Sequence, residues 1–366
     1  MQEMIEAEPA LAEAILGDGR VTGALAAAMS QAVRNGGRVA ITGCGTSEHA
    51  AMAVATILAE ALARRGVPRG SVVARQAFEA ALEPWPQSLL IGISHEGETA
   101  ATVAALRAAR AAGSKTALVT ANAAGPAAAL VDAKVITPLL DRSWCHTVGY
   151  LSPLLAGAAV ATSLSGSPLD ARRLADILAA MLDQRGLVQG VATSLAGARS
   201  FLVVGSGIDY VAARELALKV DEGVRLPGAA RDTETELHGH LASATVSTAL
   251  IAIVADPRST RPRAERATQL LLAARRLGMP TTAILGADAQ EFVPAEATSA
   301  GRIVLPPLSG GDPVTGLAEA SAATGVALQL LALALLTLHD RNPDLIGREI
   351  ADQRESAAIA SASFPL

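Results

Sequence analysis

One pattern occurs twice in this chain and restricts the folds open to it. Arg38-Val-Ala-Ile-Thr42 is a short apolar run rich in β-branched residues. It leads into the loop Gly43-Cys-Gly-Thr-Ser-Glu48 and then an alanine-rich stretch from His49 to Arg65. Ser200-Phe-Leu-Val-Val-Gly-Ser-Gly207 repeats the run and its Gly-x-Gly. Strand, glycine loop and helix make the opening of a βαβ unit, whose parallel strands require a sheet covered by helices. The third glycine of a dinucleotide fingerprint is missing from the first loop, so nucleotide binding of that kind is not expected.

The remaining runs follow the same plan. Ser71 to Ala74, Leu89 to Ser94, Lys115 to Thr120 and Lys134 to Thr137 predict further strands of the first half, with a helix through Ala112 between the second and third. Thr248 to Val254, Thr281 to Leu285 and Arg302 to Leu305 repeat them in the second half, with a helix over Ala264 to Leu277. Two helices, Glu6 to Leu16 and Val21 to Val33, precede the first repeat, and a long core helix over Leu317 to His339 closes the second. Ser163 to Ser167 and Pro168 form a polar break, which divides the chain into residues 1–165 and 166–366. The fold class is therefore α/β, one unit built twice, each a parallel sheet with helices on both faces. In such sheets ligands bind beyond the carboxyl ends of the strands, where both loops of the first half lie.

Composition removes several function classes. A net charge of -5 and a pI near 5.7 give no basic footprint for nucleic acid. Cys44 and Cys145 are the only cysteines, which excludes a disulfide framework and zinc-finger spacing; no metal and no cofactor are expected. Gln2, Glu3 and Glu6 carry the wrong charge for a secretory signal, and the apolar run Val326 to Leu338 is too short to span a bilayer. A cytoplasmic protein without membrane contact is expected.

Three places carry chemistry. Cys44-Gly45-Thr46-Ser47 and Ser94-His95-Glu96-Gly97-Glu98-Thr99 set hydroxyls and glycine-freed backbone at helix starts, where donors and the helix dipole attract an anion. The plainer reading is that Ser47 and Thr99 cap their helices. Glu96 is repulsive to a phosphate held there. In the helix ending at Gly223, Glu215, Lys219 and Glu222 fall at i, i+4 and i+7, on one face. Such a stripe can be a solvated ion-pair face or a proton-transfer site. His238 and His240 follow; His95 and His146 fall in loops of the first half and line the same pocket in this reading.

Across nearly its whole length the chain resembles the tandem SIS (sugar isomerase) domain family, which includes the isomerase half of glucosamine-6-phosphate synthase. Glu3-Met-Ile-Glu-Ala-Glu-Pro9, the two loops just quoted, and Glu215-Leu-Ala-Leu-Lys219 with Glu222 and His238-Gly239 carry the resemblance. It implies two flavodoxin-like three-layer α/β/α domains and an aldose–ketose isomerase working through an enediol on a sugar phosphate or similar anionic sugar. In that family the residue matching Glu222 moves the proton. The one matching His238 opens the ring from the partner subunit of a homodimer, and those matching Ser47, Ser94 and Thr99 hold phosphate. Lys219 would stabilise the enediolate. The Schiff-base lysine of the family falls at Arg348, which cannot form an imine but can bind an anion. No glutaminase domain and no nucleophilic cysteine at the N-terminus are expected, and so neither is glutamine-dependent amide transfer. An amino-sugar-phosphate deaminase or deglycase on the same residues, and a non-catalytic sugar-phosphate sensor, are the alternatives.

Overall fold

Strands form where the sequence offers short, mostly apolar runs rich in β-branched residues. In a computed structural model, which describes residues 1–17, 19–309 and 311–362, five such runs make one parallel sheet. They are β1 (Val39–Gly43), β2 (Val72–Gln76), β3 (Leu89–Ile93), β4 (Lys115–Thr120) and β5 (Ala133–Ile136), in the order β2-β1-β3-β4-β5. Every residue of β1 and β3 is buried, as a sheet covered on both faces requires. Ala40, Leu90 and Leu118 pack against Ala105, Leu106 and Ala109 of the helix Ala100–Ala111. Their chain neighbours Ile41, Ile91 and Val119 point to the opposite face. On the helices themselves, Val54 of Thr46–Ala63 meets Gly157 of Val148–Ser165 so closely that a Cβ at Gly157 would come within 2.7 Å of the valine methyls.

The second sheet repeats the first. Its strands are β6 (Ser200–Gly205), β7 (Gly228–Asp232), β8 (Thr248–Val254), β9 (Thr281–Leu285) and β10 (Arg302–Val304), ordered β10-β9-β8-β6-β7 and again all parallel. Leu202, Leu250, Ala252 and Leu285 pack against Ala267, Leu270, Leu271 and Ala274 of the helix Thr260–Arg276. Strand β7 carries no β-branched residue and was not expected. It forms because β6 offers it a free edge, in register from Phe201 opposite Gly228 to Gly205 opposite Asp232.

The chain divides into two compact units. One comprises Ala7–Arg142, His146–Ala175 and Gly347–Leu366; the other comprises Met1–Glu6, Ser143–Cys145 and Asp176–Ile346. The division after Ala175 falls beyond the polar break at Ser163 to Pro168, and short pieces of chain pass between the units.

The length argument against a membrane span does not hold. The last long helix runs from Pro313 to Leu338, started by the Asp312 carboxylate accepting the Val314 and Thr315 N–H groups. It and Val148–Ser165 are long and apolar enough to cross a bilayer, but 83% and 78% of their apolar windows are buried within the protein. Burial identifies them as core helices.

Candidate active site

Both Gly-x-Gly loops depend on glycine for the same two reasons. A Cβ at Gly43 would lie 2.6 Å from the Ser47 backbone carbonyl, and one at Gly205 would lie 2.5 Å from that of Asp209. Gly45 (φ 55, ψ -128) and Gly207 (φ 65, ψ -126) then turn the chain into the following helices through a conformation closed to L side chains.

In the first loop no side chain caps the helix that begins at Thr46, and Thr99 does not cap the helix that begins at Ala100. The capping role open to these hydroxyls is therefore not the one they take. Ser94 Oγ instead donates to Thr99 Oγ1 at 3.4 Å. Ser47 is half-buried and Ser94 buried, so hydroxyls and two helix starts are gathered in the same unit at the carboxyl ends of β1 and β3. Cys44 is also half-buried; burial pushes its thiol up, against a 4.0 Å contact with Thr102 Oγ1. Gly97, at φ 72, lets the second loop turn back on itself, and the Glu96 carbonyl is held by Asn122 Nδ2 at 3.1 Å. The Glu96 side chain is half-buried on that same loop.

His95 is fixed by a residue that spacing did not single out. Its Nε2 accepts the Asp141 N–H at 2.7 Å, so the ring is neutral and carries its proton on Nδ1. Burial, with His146 nearby, brings its pKa down to about 4. The Asp141 carboxylate accepts the Thr147 and Gly149 N–H groups at 2.6 and 3.1 Å, securing the start of the helix Val148–Ser165, and lies 3.7 Å from His146 Nδ1. The rings of His95 and His146 sit 5.8 Å apart. The two loop histidines thus come together, and Asp141 is what organises them.

In the other unit, the helix Ile208–Lys219 carries Glu215 and Lys219, joined at 2.7 Å with neither side chain exposed. Burial works against the Lys219 ammonium. Glu215, then Cys145 and Glu222, outweigh it and hold the group above the ordinary lysine range. The common helical face inferred from i, i+4 and i+7 needs correcting at its last member. The chain changes to a π-helical turn over Val220–Val224, closed by Arg225 at φ 60, so Glu222 leaves the α-helical register. It remains half-buried and within electrostatic reach of Lys219. Gly223 permits the close approach beneath it, since a Cβ there would lie 2.9 Å from Leu336 and 3.4 Å from Cys145 Sγ.

His238 ends the short helix Thr233–Leu237 with its side chain 68% exposed. Its Nδ1 is 2.8 Å from the Glu234 carbonyl and donates to it, which leaves Nε2 turned away and able to exchange a proton. Arg348 is half-buried just before the helix Ala351–Ala360, and its carbonyl accepts from Arg354.

The second Gly-x-Gly loop shares the backbone of the first but not its chemistry. Asp209 stands where the first loop has Ser47, counted from the strand-end glycine. It is fully buried, and its Oδ2 accepts the Ala255 and Asp256 N–H groups at 3.0 and 3.1 Å. Burial raises its pKa to about 7. Asp256 is in turn held bidentately by Arg258 at 3.0 and 2.8 Å and approached by Arg263. Among the described residues no cluster of ligating side chains suits a metal ion.

Residues 33–163 match the SIS domain family. The chain is similar to the isomerizing glutamine–fructose-6-phosphate aminotransferase of Zymomonas mobilis, 35% identical over 198 residues, which cover 50% of this chain and 32% of that protein. It thus spans about a third of the length of that relative. Its fold is that of the C-terminal domain of glucosamine-fructose-6-phosphate aminotransferase from Francisella tularensis (TM-score 0.77, 19% identity, 94% of this chain and 97% of that one). It is equally that of tagatose-6-phosphate ketose/aldose isomerase from Escherichia coli (TM-score 0.77, 23% identity, 93% and 94%).

Proposed function

We propose that this protein is an aldose–ketose isomerase acting on a sugar phosphate, or a similarly anionic sugar, through an enediol. The observation that carries this reading is the charged, fully buried Lys219 held between Glu215 and Glu222. A carboxylate beside a fixed cation suits removal of a proton from the carbon next to a carbonyl, because the cation favours the negative charge that develops. Glu222 takes the proton from C2 of an aldose and returns it to C1, and His238 opens the ring through its outward Nε2. Ser47, Ser94 and Thr99 hold the anionic end, with Cys44, Gly45, Thr46, His95, Gly97, His146 and Arg348 around them. Lys219 has no exposed surface, so it acts through the carboxylates rather than by touching the sugar.

The reading extends to a second SIS-type domain in the unit of β6 to β10, to a homodimer in which His238 serves the partner's site, and to a cytoplasmic setting. Incubation in deuterated water with fructose 6-phosphate and tagatose 6-phosphate tests the reaction. Wild type should place deuterium on the exchanging carbon, and Glu222→Gln should abolish it; unchanged incorporation in the variant overturns the assignment. Sedimentation should give a dimer, and an active monomer would contradict the shared histidine. Glu96, a half-buried carboxylate on an anion loop, supports a second reading in which an amino-sugar phosphate is deaminated; ammonia release from such substrates, without isomerisation, would favour it.

A further inference from the structure

A cavity of about 190 Å³ lies at the amino-terminal ends of β6 and β8 and along β7, the opposite edge of that sheet from the Gly-x-Gly loop. Ser200, Gly228, Thr248, Arg231, Glu236 and His240 line it. Glu236 is only 1% exposed, and neither of its carboxylate oxygens accepts a hydrogen bond. Arg231 Nε approaches Oε2 to 3.3 Å without hydrogen-bonding geometry and has no acceptor of its own. Buried acceptors and donors are nearly always satisfied, and an unmet one is costly, more so when it is charged. A carboxylate and a guanidinium on residues that line the same small space define what fits there. An anion is repelled by Glu236 and a cation by Arg231. A neutral molecule with adjacent hydroxyls satisfies both, since each hydroxyl donates and accepts.

We propose that this cavity binds a small neutral polyol, a linear alditol or a single sugar ring, by hydroxyls that donate to Glu236 and accept from Arg231. The volume suits one such molecule and is ample for water, which is the competing occupant. The site uses none of the residues assigned to isomerisation, so the two readings stand or fall separately.

Saturation-transfer NMR and calorimetry on the full chain with sorbitol read binding directly. Melting temperature is the wrong readout, because polyols raise it by exclusion from any protein surface. Wild type should bind saturably, and Glu236→Gln and Arg231→Met should each weaken sorbitol at least tenfold. A Ser47→Ala/Thr99→Ala variant should bind sorbitol as wild type does. If Glu236→Gln fails to fold, Arg231→Met reads the same site from the exposed side. Absence of saturable binding to wild type, or wild-type affinity in the Arg231 and Glu236 variants, overturns the proposal and leaves a water-filled cavity. Loss of isomerase activity with sorbitol binding intact would sink only the catalytic reading.

Discussion

Lys219 and Glu215 show what one pair of residues can decide. Both side chains have no exposed surface, so each depends on the other to offset its lost hydration. Lys219→Met should therefore remove the cation 2.7 Å from the buried Glu215 carboxylate and lower stability by about 3–5 kcal/mol in urea unfolding. The double change Lys219→Met/Glu215→Leu should recover most of that loss, because no charge remains stranded. An equal loss in single and double variants would show that packing, and not charge, holds the helix. Spacing alone found this pair, since i and i+4 are neighbours on any helix. It could not show that the pair is buried, nor that the helix widens at Val220, because both follow from packing against residues distant in sequence, including Leu336 and Cys145.

At the scale of the element, the strand–loop–helix junction sets the fold. Gly43 and Gly205 face backbone atoms, which cannot rotate away as a side chain could. Gly43→Ala and Gly205→Ala should each cost about 1–3 kcal/mol in denaturant unfolding. Gly23, inside the helix Arg20–Arg34 with nothing near its Cβ position, is the contrast. Gly23→Ala should stabilise by about 0.5–1 kcal/mol, and destabilisation there would indicate an unrecognised packing constraint. The repeated apolar runs made nine of the ten described strands legible in the sequence, because strands buried on both faces, as β1 and β3 are, read as continuous apolar runs. Strand β7 escaped because Gly228-Ala-Ala-Arg-Asp232 has no strand signature and is shaped by its neighbour's edge. Asp141 escaped for a related reason: its partners His95 and Gly149 lie on either side of it in the chain, and only the fold brings them together.

For the molecule as a whole, two buried groups tie stability to pH in opposite directions. Asp209 has a folded pKa near 7 against an ordinary value of 3.8, so the native state binds more protons across that interval. Its contribution falls as pH rises from about 4 to 7. His95 has a folded pKa near 4 against 6.5, so the unfolded state binds more protons and its contribution rises with pH over that range. Asp209→Asn should steepen the gain in unfolding free energy between pH 4.5 and 6.5, whereas His95→Gln should flatten or reverse it. Identical pH profiles for the two variants would show that neither group is linked to folding.

The two halves share a scaffold but part company at one position beyond the glycine turn, serine in one and aspartate in the other. Asp209 already sits on the Ala255 and Asp256 amides, a guest that the chain supplies to itself. With those amides already taken by a side chain of the protein itself, no donors of theirs are left for an anion from solution. The duplicated architecture therefore does not double the binding capacity, and inorganic phosphate titrated calorimetrically into the protein should saturate at a stoichiometry of about one per chain.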